Sequence, residues 1–158
     1  MLGNFIQEFF LDLKSVEYLR LSSPAFKNQG TLPKKYTCFG EGSSPPLKLE
    51  SFSPSVKAFA LTFGDGIKHY WVVYYIDGSL KEIPENAKES GFLRFGINDF
   101  GVKGYTPPCP TKKVLFKFTL YALSELPPLV DIPTGKELIK AIKSLTLRES
   151  HLICYVKP

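Results

Sequence analysis

Three long apolar runs, separated by turn residues, dominate the middle of the chain. They cover residues 58–63, 70–76 and 114–123, with few polar interruptions. Such runs are typical of strands in a sheet that is covered on both faces, because neither side needs to be polar. Asp65 and Gly66 lie between the first two runs, and Asp-Gly in this setting predicts a tight hairpin. The pattern therefore predicts a mainly β domain.

Helical periodicity is found near the two ends of the chain. Within residues 1–19, apolar side chains recur at spacings of three and four, which predicts an amphipathic helix. Its apolar stripe consists of Leu2, Phe5, Ile6, Phe9, Leu13 and Val16. The stripe docks either on its own domain or on a second copy as part of a homodimer, and the sequence leaves both open. Residues 135–147 predict a C-terminal helix with Thr134 as its N-cap, followed by a closing strand over residues 151–156.

Composition and charge narrow the function classes. The length of 158 residues fits one domain, and the net charge of +5 comes from basic residues that are scattered along the chain. We expect a solvated basic surface, no nucleic-acid partner, no membrane span and, without an export signal, a cytoplasmic location. The nucleophile, zinc-protease and phosphate-loop motifs of common enzyme classes are absent, as are paired metal-ligand spacings. The sequence thus predicts neither an enzyme nor a metal or cofactor site.

A glycine- and proline-rich segment, residues 96–110, precedes the third apolar run. Asn98 and Asp99 can fold their side chains back onto their own backbone in an Asx turn. The prolines at its end cannot donate hydrogen bonds to a sheet, so the segment should be a loop with an ordered rim. A structured loop between apolar elements is a common place for a binding site.

This central segment resembles the signature of the phosphatidylethanolamine-binding proteins, most of all their bacterial and archaeal, Raf kinase inhibitor-like branch. The matching residues are Asn98-Asp99-Phe100-Gly101-x-x-Gly104-Tyr105-x-x-Pro108-Cys109-Pro110. Further stretches agree in order and spacing, namely Leu21-Ser22-Ser23-Pro24-Ala25-Phe26, Ser44-Pro45-Pro46-Leu47, Trp71-Val72-Val73-Tyr74 and Leu120-Tyr121-Ala122-Leu123. The resemblance implies an antiparallel, Greek-key-like β-sandwich over residues 20–158, with a C-terminal helix and with residues 1–19 as an extra N-terminal helical extension.

The resemblance also implies a small anion pocket, from which this chain departs. Tyr70 stands at the family's strand histidine, and His69 lies one residue earlier, so only the short turn or a bulge would bring it to the same face. Thr106-Pro107 replaces a Gly-Gly pair, and apolar residues 114–116 replace His-Arg-Tyr. We therefore predict an impaired anion site, because the hydrogen-bond donors that it needs are missing. The residues left for a reduced ligand-binding site are Asp65, His69, Tyr70, Tyr105 and Thr106.

Cysteine chemistry remains open. Without an export signal, free thiols are the default for Cys38, Cys109 and Cys154. The alternative is a disulfide between Cys38 and Cys109, since both fall in motifs that the family places near its pocket. Cys154 lies in an apolar segment and is expected to be a buried thiol.

These observations predict a non-enzymatic binding or regulatory protein with a degenerate anion pocket. The resemblance suggests an inhibitor-like action on a protein target of the protease or kinase class. The alternative is a small-ligand carrier whose remodelled pocket accepts a phosphate-like or less charged ligand.

Overall fold

The computed structural model describes residues 18–158. The predicted N-terminal helix lies outside the described residues except for Tyr18 and Leu19, and Leu19 is already the first residue of a strand, where it pairs with Ser51. The division of the chain at residue 19 stays a prediction. Within the described residues, no helix is both long and apolar enough to span a membrane.

The described chain forms nine strands and one α-helix. In order, these are β1 (Leu19–Ser22), β2 (Gly30–Thr31), β3 (Leu47–Ser51), β4 (Ala58–Gly64), β5 (His69–Asp77), β6 (Glu82–Ile83), β7 (Leu93–Phe95), β8 (Val114–Leu123), α1 (Gly135–Ile142) and β9 (Thr146–Val156). A single 3-10 turn, Lys34–Tyr36, lies between β2 and β3. The mainly β fold with a C-terminal helix is confirmed.

The strands form two sheets. One has the order β1-β3-β6, and the other has the order β2-β9-β8-β4-β5-β7. All pairs are antiparallel except β2 with β9, where Gly30 and Thr31 run parallel to Cys154 and Tyr155. The sequence did not predict this parallel pair, because a strand of two residues has no periodicity.

Two apolar clusters cover the two faces of the six-stranded sheet. On the inner face, Leu21, Leu49 and Ile83 of the small sheet share one core with Phe63 and Trp71 of the large sheet. On the outer face, a smaller core joins the sheet to α1. Its members are Ala60, Val72, Tyr121, Leu123, Leu138 and Ile142. Because both faces are covered over much of their length, the three central strands need the largely apolar runs that predicted them.

The C-terminal helix ends earlier than its pattern suggests. It begins with a capping box, in which the Thr134 hydroxyl accepts from the Glu137 N–H and the Glu137 carboxylate accepts from the Thr134 N–H. It ends at Ile142 rather than at residue 147, and β9 begins at Thr146 rather than at residue 151. Leu145 lies in the intervening turn, where its carbonyl accepts from the Ser124 N–H. The apolar Leu145 side chain at helical spacing therefore packs, partly buried, against the outer-face core from the turn and not from the helix.

Candidate functional site

The central loop is held in place by the side chain of Asn98, which is 3% exposed. Its Oδ1 accepts hydrogen bonds from the backbone N–H groups of Phe100 and Val102, at 2.9 and 3.0 Å. Its Nδ2 donates to the Tyr70 and Gly104 carbonyls and to the Thr106 hydroxyl, at 3.0, 3.2 and 2.7 Å. The predicted turn-forming role of this asparagine is confirmed, and its side chain also ties the loop to β5.

A β-bulge separates the predicted site residues onto two faces of the sheet. Phe63 pairs with Trp71, but the next residue, Gly64, pairs with His69, so that Tyr70 is the extra residue of β5. Tyr70 consequently turns to the inner core. His69 lies on the outer face, where it packs against the first turn of α1 so closely that a Cβ at Gly135 would lie 2.4 Å from its Nδ1. The bulge therefore re-aims Tyr70 and leaves His69 away from the predicted pocket.

Aromatic rings fill the space around Tyr70 at the inner face. The Tyr70 ring lies edge-on to Phe116 and Phe100, with 4.9 and 4.8 Å between ring centres. Tyr105 stacks on Phe63 at 5.8 Å, and Phe63 contacts Phe116 at 5.3 Å. These five rings form the aromatic cluster. The cluster explains the apolar residue at position 116, because its ring packs against both Tyr70 and Phe63.

The hydrogen-bond donors at this face are already engaged within the protein. The Tyr105 hydroxyl donates to the Tyr36 carbonyl at 2.6 Å, and the Thr106 N–H donates to the Tyr70 carbonyl at 2.9 Å. Pro107 has no N–H. Burial raises the pKa of Tyr105 well above its ordinary value, and burial followed by the nearby Asp65 charge also raises that of Tyr70. Both phenols are therefore neutral, and among the predicted site residues at this face the hydroxyls of Tyr70 and Thr106 remain as donors for a ligand.

Asp65 has a turn role in the structure. Its Oδ1 accepts hydrogen bonds from the N–H groups of Ile67 and Lys68 at 2.9 and 2.8 Å, and this closes the hairpin between β4 and β5. The carboxylate beside His69 is that of Asp99 instead. Asp99 accepts from the His69 N–H at 2.6 Å, and its Oδ2 lies 3.7 Å from the His69 Nδ1. The sequence reasoning treated Asp99 as structural and missed its position beside His69, which comes from the folding of the loop onto the hairpin.

A disulfide joins Cys38 to Cys109, so the default expectation of free thiols is wrong for this pair. Their Cα atoms are 5.2 Å apart, because the Cys38 N–H donates to the Pro108 carbonyl and holds the two loops side by side. Cys154 is a free buried thiol, as predicted, and burial raises its pKa to about 12.

Exposed apolar side chains lie on the β4–β5 hairpin, on the central loop and beside the disulfide. Ile67 at the hairpin tip is 87% exposed, and Phe100 and Val102 of the central loop are each 43% exposed. Phe39, beside the disulfide, is 44% exposed. These four residues are called the rim surface. Hydrogen bonds between Asp99 and His69 fasten the hairpin to the central loop, so part of this surface is held by fixed contacts.

Comparisons with known proteins agree with the resemblance. The family model described as phosphatidylethanolamine-binding protein matches residues 22–157. A protein of Methanothermobacter thermautotrophicus, named only as a UPF0098 protein, is 32% identical over 145 residues, covering 85% of this chain and 96% of the relative. A UPF0098 protein of Archaeoglobus fulgidus is 34% identical over 142 residues, covering 83% of this chain but only 46% of that longer relative.

Two solved structures show the same fold. One is the homolog CT736 from Chlamydia trachomatis, described as a putative phosphatidylethanolamine-binding protein. It has a TM-score of 0.81 and 27% identity, covering 89% of this chain and 97% of its own. The other is YbcL of Escherichia coli, with a TM-score of 0.79 over 89% of this chain and 98% of its own. At 21% identity, the second likeness bears on the fold alone.

Proposed function

Because the chain belongs to the phosphatidylethanolamine-binding protein family, we propose that it is a non-enzymatic binding protein that regulates a protein partner through its rim surface. The observation that carries this proposal is the aromatic cluster, which occupies the inner face where the family's anion pocket is expected. A buried phosphate needs several converging donors, and each charge-assisted hydrogen bond contributes roughly 1.5–3 kcal/mol. Two remaining hydroxyls fall short of that requirement.

The rim surface supports a protein partner in preference to a small ligand. Its apolar side chains project from loops that are fixed by the disulfide, by Asn98 and by prolines, so little conformational entropy is lost on binding. Exposed apolar side chains that are grouped on loops are typical of interaction sites. Serine proteases and kinases are the target classes that family membership suggests, with inhibition as the expected effect.

Inhibition assays against panels of serine proteases and protein kinases test this proposal. The wild-type protein should inhibit at least one enzyme, and Ile67→Asp should weaken inhibition about tenfold or more, because it places a charge in the apolar contact. Val130→Asp is the matched control, since Val130 is 97% exposed on the connection that precedes α1, away from the rim. Equal weakening by the two substitutions, or no inhibition of any enzyme, would contradict the proposal.

The alternative is a small-ligand carrier that uses the hydroxyls of Tyr70 and Thr106. It predicts saturable thermal stabilisation by phosphate, phosphoethanolamine or acetate that is lost in Tyr70→Phe. Phe92→Leu is a suitable control, because Phe92 is exposed and outside the aromatic cluster. A shift with none of these ligands would argue against the carrier.

Three further expectations concern the whole chain. We propose a Greek-key-like sandwich, a cytoplasmic location and a homodimer that forms through residues 1–19. The dimer predicts a larger apparent mass on size-exclusion chromatography for the full chain than for a chain that begins at Tyr18. Identical monomeric elution of both would contradict it.

A further inference from the structure

A polar groove of about 200 Å³ lies on the outer face of the six-stranded sheet, opposite the aromatic cluster. Its floor is formed by Thr62, Thr119 and Tyr121, and its walls include Lys117 and His69. The register explains this grouping. Thr62 pairs with Thr119, and Gly64 pairs both with Lys117 and with His69, so these side chains project from neighbouring positions on one face. The groove brings His69 next to residues that the sequence did not single out.

The two floor threonines are unusual for their surroundings. Thr62 and Thr119 are 6% and 5% exposed, and they lie in strands that are otherwise apolar at this depth. A valine would fill the same volume without burying a hydroxyl, which costs free energy unless the hydroxyl has good partners. The hydrogen-bond contacts that the two hydroxyls make within the protein are long. Thr62 Oγ1 lies 3.4 Å from the Tyr121 hydroxyl, and Thr119 Oγ1 lies 3.2 Å from the His151 Nδ1. Hydroxyls with such contacts can also donate to a ligand in the groove.

The charge of the groove favours an anion. None of the side chains that line it in the described part of the chain is a carboxylate. Lys117 is exposed and supplies the positive charge, whereas the Lys68 ammonium lies 5.1 Å from the Phe100 ring centre and is directed to the rim. Two acids lie near the groove without lining it: Asp99, whose Oδ2 is 3.7 Å from the His69 Nδ1, and Glu149, which pairs with Tyr121 at the far end of the floor. Burial raises the pKa of Tyr121, so its hydroxyl keeps its proton and acts as a donor.

We propose that this groove binds a phosphate group, with Lys117 as the charged contact and with the hydroxyls of Thr62, Thr119 and Tyr121 as donors from the floor. One ammonium and three hydroxyls match the several oxygens of a tetrahedral anion better than the two of a carboxylate. The volume is below the roughly 300–1,000 Å³ of pockets for drug-sized ligands, so the ligand is a free phosphate, a small phosphomonoester or one lipid phosphate. The proposal is independent of the regulatory function, because it concerns the other face of the sheet.

Isothermal titration of the full chain with inorganic phosphate and with phosphoethanolamine tests the site. Both should bind saturably and more tightly than acetate. Lys117→Gln and the double substitution Thr62→Val with Thr119→Val should each weaken binding about tenfold or more, as expected for lost contacts to a charged ligand. Lys88→Gln is the matched control, since Lys88 is exposed and its substitution removes the same charge away from the groove. It should leave the dissociation constant within about twofold.

Thermal unfolding shows whether the threonine-to-valine substitutions weaken binding directly or by destabilising the fold. The threonine-to-valine protein should unfold at or above the wild-type temperature, because valine has the same shape and no buried hydroxyl. A marked loss of stability would instead assign the hydroxyls a structural role and would overturn the proposal. Failure of both phosphate ligands to bind would also overturn it, as would equal weakening by Lys88→Gln and Lys117→Gln.

The source of the phosphate group is distinguished with vesicles of phosphatidylcholine that contain phosphatidic acid. Sedimentation with these vesicles, reduced by Lys117→Gln and by free phosphate, assigns the site to a lipid phosphate. Binding of free phosphate without sedimentation assigns it to a small soluble ligand. Phosphate binding that is abolished by Tyr70→Phe but not by Lys117→Gln would overturn the groove site, and it would also show that the aromatic cluster does not close the inner face.

Discussion

Replacing Asn98 with alanine should strongly destabilise the protein, because this one side chain holds the central loop together. The substitution removes five hydrogen bonds. Water can reach the N–H groups of the exposed residues 100 and 102, and the Tyr70 carbonyl keeps the Thr106 N–H as a donor. The buried Gly104 carbonyl loses its side-chain donor. Counting about 0.5–1 kcal/mol for each of the four replaceable bonds and about 1–3 kcal/mol for the carbonyl gives a loss of about 3–7 kcal/mol.

Urea denaturation followed by the fluorescence of Trp71 measures this loss. Trp71 is the single tryptophan of the chain, is fully buried and lies 5.5 Å from Tyr105, ring centre to ring centre, so it reports on the core beside the central loop. Asn28→Ala is the matched control. Asn28 is exposed, and its Oδ1 accepts one hydrogen bond, from the Ile153 N–H at 2.8 Å, so about 0.5–1 kcal/mol is expected. Losses for the two variants that agree within about 0.5 kcal/mol, roughly the limit for interpreting such differences, would refute the assigned role of Asn98.

Three further predictions concern the disulfide, the helix cap and acid sensitivity. Cys38→Ser with Cys109→Ser should lower the free energy of unfolding by about 2–4 kcal/mol, because the disulfide closes a loop between residues 71 apart. Reductant should destabilise the wild type and leave the double variant unchanged. Thr134→Ala should cost about 1 kcal/mol in urea denaturation, because the first turn of α1 loses its capping hydroxyl. The Phe95 N–H, as the largest cause, holds the pKa of Glu89 below its ordinary 4.5, so its contribution is present above that pH and is lost as the pH falls through the folded-state pKa. Glu89→Gln should therefore lose less stability than the wild type below pH 4.5, and equal acid profiles would contradict this assignment.

The long central strands could be predicted because strands that are buried on both faces have nearly continuous apolar sequences. The run 114–123 coincides with β8, and the run 58–63 lies within β4. The short strands β2 and β6 could not be predicted. Each has only two residues, which is too few to show a hydrophobic periodicity, and their pairing depends on long-range contacts. The early end of α1 could not be predicted either, because the apolar side chain of Leu145 packs against the outer-face core from a turn.

The sequence predicted that hydrogen-bond donors are missing from the candidate site, but it did not predict the geometry of the site. Proline and apolar residues at positions 107 and 114–116 indicate an impaired anion site from the sequence alone. The bulge that sends Tyr70 inward and His69 outward depends on the pairing of Gly64, which sequence spacing does not encode. The Thr62–Thr119 pair was missed for the same reason, because the two residues meet only through the register of β4 and β8.

Backbone amide resonances of the isotope-labelled protein, followed during a titration with phosphate and with phosphoethanolamine, test the closed inner face most directly. The occlusion by the aromatic cluster predicts that the amides of Tyr70, Tyr105 and Thr106 do not move, while any saturable shifts occur at Lys117 and Thr119 on the other side of the sheet. Saturable shifts at Tyr105 and Thr106, with Lys117 unmoved, would mean that the inner face still holds an anion and would contradict its closure by the aromatic cluster.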